Sequence, residues 1–277
     1  MKKKSSVVKL ISVILAFFIA CGMVAGSLCL ILQSTLFSGA YVMDSMLSGG
    51  YFSDAEYEVK QDLSELCYTS GLDEDFFDNL FDEVFLKAES EKYVSNCFSD
   101  IGDVSLSTKS FEELFTNALD GYVRDGGVQN ISEQMRARLV TEAAEIYRAD
   151  MEIPVLETLG SLAGTYRGAV YMILAACGVV IIAAFVTILL INKWRHRFLR
   201  NISYGCLAAF ITMLVLPAVG FLSGISTAAL FSRRSLCLLY TEAVNGVLLG
   251  MFLLSGILLL VSLIFLLLYS KSYRKDM

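Results

Sequence analysis

A zinc site of the usual kind needs paired histidines or cysteines at short spacing. This chain has one histidine, His196, and no Cys-x-x-Cys among its seven cysteines. No glycine-rich phosphate loop of the usual spacing occurs either. The densest carboxylate run, Asp73, Glu74, Asp75, Asp78, Asp82 and Glu83, lacks the alternating ligands and central glycine of a calcium loop and reads as a solvated helix face. No metal, cofactor or catalytic set is therefore expected, and the chain reads as non-enzymatic.

Two groupings still carry chemistry. Cys67 and Cys97 are a candidate disulfide, because charge places both outside the cell, where such a bond persists; Cys237 could compete for either partner. Arg233 and Arg234 interrupt a stretch that would insert more easily without them. Direct contact with Asp150, Glu152 and Glu157, the carboxylates nearest in sequence to the second apolar run, would make the two arginines a clamp of the outer domain onto the membrane bundle. The simpler alternative is that both snorkel to lipid headgroups.

The elements that position these residues are set by composition. With 56% hydrophobic and 18% charged residues, the chain falls well short of the roughly 25% charge of soluble domains. It reads as an all-α membrane protein with four spans, at residues 10–32, 168–192, 202–222 and 247–269, each long enough for a bilayer core that takes roughly 20 residues. The basic terminus 1–9, the basic loop 193–201 and the tail 270–277 belong on the cytoplasmic side by the positive-inside rule. Tyr171 and Tyr240 outside, with Trp194, Tyr204 and Tyr269 inside, suit the interfacial aromatic belts.

The segment 38–166 and the short stretch 223–246 then lie outside. Between Leu36 and Tyr166 fall 26 of the 28 acidic but only 8 of the 22 basic residues, a net charge of −18. Capping boxes at Ser53/Glu56 and Ser110/Glu113 predict helices starting at Asp54 and near Ser110, and Ser132 opens another that ends near Met151, ahead of Pro154. Apolar residues from Phe76 to Phe85 predict one aromatic helix, and a weaker one covers Ser90 to Phe98. The result is a helical extracytoplasmic domain inserted between the first and second spans.

Gly160, Gly164 and Gly168 fall at four-residue steps, a seam for close helix packing against the chain's own first or fourth span, or against a second copy. Lys193, Arg195, Arg197 and Arg200 form a candidate cytoplasmic docking site. The layout predicts a multi-pass protein of the cell membrane with both termini cytoplasmic and an outer domain that senses, binds or scaffolds. Its expected partners are lipid, other membrane or surface proteins and a second copy, with no nucleic acid. The alternative is the membrane subunit of a transporter-like or permease-like complex that docks a cytoplasmic protein through residues 193–200.

Overall fold

The computed structural model describes residues 2–99, 105–126, 132–192, 195–228 and 231–275; for residues 2–7, Cys67, Thr69, Glu74, Arg195, His196, Arg274 and Lys275 only the backbone is described. Among these residues the fold is all-helical, with no strand. Four helices are long and apolar enough to cross a membrane, and the chain is a multi-pass membrane protein. The chain divides into two compact units. One comprises residues 1–36, 166–228 and 244–277, the other residues 37–165 and 229–243.

The apolar unit contains α1 (Lys2–Ser34), most of α9 (Pro154–Ile191), α10 (Arg195–Ser223) and most of α11 (Arg234–Lys275). All four helices run past the apolar stretches that announce them, because helix formation continues wherever backbone bonds can be made, while hydropathy marks only the lipid-facing part. Residues 195–201, expected in a loop, form the first turns of α10. Small residues let these helices approach. A Cβ on Gly205 would sit 2.9 Å from the carbonyl oxygen of Ala16, and one on Gly22 would meet Ile181 at 2.9 Å. Polar glue adds to this packing: the buried Ser203 and Ser262 each donate a hydroxyl to the other's carbonyl, at 3.2 and 3.1 Å. Asn192 donates to Ser12 at 3.2 Å.

The second unit, the helical domain, contains α2 (Gly39–Ser48), α3 (Tyr51–Ser64), α4 (Cys67–Ser70), α5 (Glu74–Asp78), α6 (Glu83–Cys97), α7 (Lys109–Arg124) and α8 (Glu133–Met151), with the starts of α9 and α11. Its core is strongly aromatic. Phe111 stacks on Tyr147 with centroids 4.3 Å apart and planes 5° from parallel, and Phe76, Phe77 and Phe115 meet edge-on or tilted around them.

Local signals explain most boundaries. Ser132 caps α8 by accepting from the Met135 N–H at 3.2 Å, and α8 ends at Met151 ahead of Pro154, which opens α9. The expected single helix through Phe76 to Phe85 is instead broken, because Asp82 accepts from the Phe85 N–H at 3.0 Å and starts α6 afresh, absorbing the weaker helix over 90–98. The Ser53/Glu56 box is unused. The left-handed Gly50, at φ 71°, starts α3 at Tyr51, where the buried rings of Tyr51 and Phe52 anchor it. α7 starts at Lys109, where the Thr108 hydroxyl donates to Glu112 at 2.5 Å in place of the Ser110/Glu113 box.

Candidate functional site

The start of α11 gathers a dense set of polar contacts in the helical domain. α3 presents Asp54, Glu58 and Asp62 at four-residue steps, one face of a helix with 3.6 residues per turn. Each carboxylate meets a different part of the segment at Arg233–Ser235. The residue before α11 is Arg233, whose cationic side chain cannot accept from the free N–H groups of a helix start. Glu58 supplies that function from α3. One of its oxygens accepts from the N–H groups of Arg234 and Ser235 at 2.7 and 3.1 Å, and the other accepts from the Ser235 hydroxyl at 2.5 Å. A carboxylate there also opposes the positive end of the helix dipole.

The arginines occupy the two remaining steps. Arg234 Nε lies 2.9 Å from an Asp54 oxygen, an ion pair outside hydrogen-bond geometry. Arg233 forms a short ion pair with Asp150 on α8 and reaches Asp62 at 3.3 Å. The side chain of Asp150 is 2% exposed, whereas that of Asp62 is 47% exposed, so desolvation falls mainly on Asp150. The rest of the segment is fixed as well. Leu239 joins the core, Tyr41 donates to the Ala243 carbonyl at 2.6 Å, and a Cβ on Gly49 would meet Glu242 at 2.7 Å.

Of the three carboxylates expected to hold the arginines, Asp150 does so. Glu152 and Glu157 lie instead beside Cys97, whose thiol they help to push up in pKa, though less than burial does. The reason is helical geometry: two residues past Asp150 the chain has turned by about 200°, and it leaves the helix at Glu152. Asp54, Glu58 and Asp62 were not anticipated, although their spacing was visible. The contacts also differ in kind from an outer domain held onto a membrane bundle, since residues 229–243 belong to the same compact unit as α3 and α8.

The remaining candidates separate. Cys97 is a buried thiol with no disulfide among the described residues, and the side chain of Cys67, its expected partner, lies outside them. Gly160 is buried against the last turn of α6, within the helical domain, rather than against the first or fourth span; Gly164 is exposed and Gly168 has open space around it. Lys193 and the side chain of Arg195 lie outside the described residues, Arg197 is exposed and Arg200 half-buried. Among the described residues no group of three His, Cys, Asp or Glu side chains could hold a metal ion.

What the α3–α11 site can do is titrate. Burial, and secondarily Asp62, push the Asp150 carboxyl up to about 6 against the pull of Arg233. The buried Tyr51 lies close enough to interact with Asp150, Arg233 and Glu58. In an unfolded chain an aspartate titrates near 3.9. Between about pH 4 and pH 6 the folded state therefore holds a proton that the unfolded state has released, so stability falls as pH rises through that window and levels off above it. Chemical denaturation of the full chain between pH 4 and 7 should show this negative slope, and Asp150→Asn should remove it; an identical slope in the variant would assign the titration elsewhere.

No protein-family model, no curated protein and no solved structure matches the chain.

Proposed function

We propose that the chain is a non-enzymatic, multi-pass protein of the cell membrane whose helical domain stands outside the cell and binds or scaffolds a partner there, with both termini cytoplasmic. The observation that carries this reading is the division of charge. The residues around the domain hold a net −18, while Lys2, Lys3, Lys4 and Lys9, Lys193 to Arg200, and Lys271, Arg274 and Lys275 flank the ends of the apolar helices assigned to the inside. The internal order of the domain supports a binding or scaffolding role, since its polar network, the Ser235–Glu58 bond included, holds one element in place.

Single cysteines in a cysteine-free background test the orientation. Ser107→Cys, exposed in the domain, should react with an impermeant maleimide on intact cells, and Arg197→Cys, exposed near the start of α10, only after permeabilisation. The reverse pattern would turn the molecule over and remove the proposal.

A further inference from the structure

α2 and α6 pack together and leave a groove between them of about 620 Å³. The apolar lining comes from Met43 and Leu47 on α2 and from Val94 and Phe98 on or just after α6, positions four apart on each helix. Gly39 makes room for the Phe98 ring, which a Cβ there would approach to 3.2 Å. Each wall also carries one exposed carboxylate, Asp44 on α2 and Glu91 on α6, and among the described residues neither is paired with a cation. Gly39 to Leu47 span roughly 12 Å at 1.5 Å per residue, about two helical turns.

We propose that this groove docks a cationic amphipathic helical segment of a partner protein. The inference rests on the reading of the domain as a binding module and names its class of ligand. Apolar side chains three and four residues apart on such a segment would enter between Met43, Leu47, Val94 and Phe98, as helix-in-groove recognition requires. Methionine adapts to different apolar shapes. Lysines or arginines flanking that stripe would meet Asp44 and Glu91, and the −18 of the surrounding segment would speed their approach at low salt. An anionic or uncharged helix would gain the apolar contact alone.

The probe is a fluorescent amphipathic peptide of leucine and lysine, titrated against the full chain in zwitterionic nanodiscs, with empty nanodiscs subtracted. Asp44→Asn with Glu91→Gln should weaken binding about tenfold, the scale of two partly exposed charge contacts. Ser95→Trp, which fills the groove and leaves every carboxylate in place, should weaken it at least as much. The same peptide with glutamate for lysine should bind no better than the filled variant does. Equal binding by the parent and the Ser95→Trp chain overturns the groove, as does an equal loss on neutralising Glu112 and Glu113 of α7, which would mean diffuse attraction to the acidic surface. Self-association of the chain that Ser95→Trp abolishes would put a second copy in the groove and overturn the assignment. None of these results moves the cysteine-labelling pattern, so the groove and the wider reading fail separately.

Discussion

Replacing Arg233 with methionine should loosen the start of α11 and the faces of α3 and α8 that meet it more than any other single change in the polar network. Methionine keeps much of the side-chain volume but strands the carboxylate of Asp150, which is 2% exposed, has one oxygen already buried without a hydrogen bond, and loses the one cation paired with it among the described residues. Removing one partner of a buried pair costs about 3 to 5 kcal/mol, against about 0 to 1 kcal/mol for an exposed one. Hydrogen exchange of the full chain at neutral pH should therefore accelerate about 100-fold in the peptides covering α3, the end of α8 and residues 231–243. Adding Asp150→Asn should recover most of that protection, because the stranded group is then neutral. Arg234→Met, whose side chain is 80% exposed, should change little. Exchange in Arg233→Met as slow as in the parent would show that the arginine does not neutralise Asp150.

The second large effect is expected at Gly160. A Cβ there would collide with the carbonyl oxygen of Cys97 and lie 2.6 Å from its carbonyl carbon. Backbone atoms at the end of α6 cannot turn aside as a flexible side chain would, so Gly160→Ala must push the first turns of α9 away from α6. Overpacking of this kind costs about 1 to 3 kcal/mol, and a backbone obstacle places it at the upper end. The readout lies beside the substitution: the buried Cys97 thiol, quantified by alkylation and peptide mass spectrometry, should react at least about tenfold faster in the variant. Gly168→Ala is the control. Nothing lies within 4 Å of its added Cβ, and the change should be neutral or slightly stabilising through helix propensity. Unchanged Cys97 reactivity in Gly160→Ala would mean that the two helices do not touch in solution.

These two sites mark the boundary of what the amino-acid order discloses. The four apolar helices are legible because hydropathy is a local sum, and Ser132 and Pro154 bracket α8 through bonds made within a few residues. α2 goes unread, since its small buried set, Val42, Ser45 and Met46, makes only a short stripe that takes its meaning from α3 and α6. The three glycines at four-residue steps look equivalent in sequence, and only the arrival of Cys97 on Gly160 distinguishes them. Arg233 and Arg234 stand out by being charged, and nearness in sequence to the second apolar run singles out Asp150 as one of three candidate carboxylates. It could not name Asp54, Glu58 and Asp62, whose contacts span 171 to 180 residues.

That separation has a consequence for how the molecule is made. Ribosomes add about 5 to 20 residues per second, so roughly 10 to 35 seconds pass between the synthesis of α3 and that of the residues that neutralise and cap it. During that interval Asp54, Glu58, Asp62 and Asp150 have neither their arginine partners nor a helix start to cap, and Leu239 is missing from the core. The nascent domain must wait half-assembled while two apolar helices, α9 and α10, are threaded into the membrane. A chain halted before Arg233 would keep all of α2 to α8 yet lack the cations and the helix start that these carboxylates meet, so the polar network of the domain is completed only when the start of α11 is made.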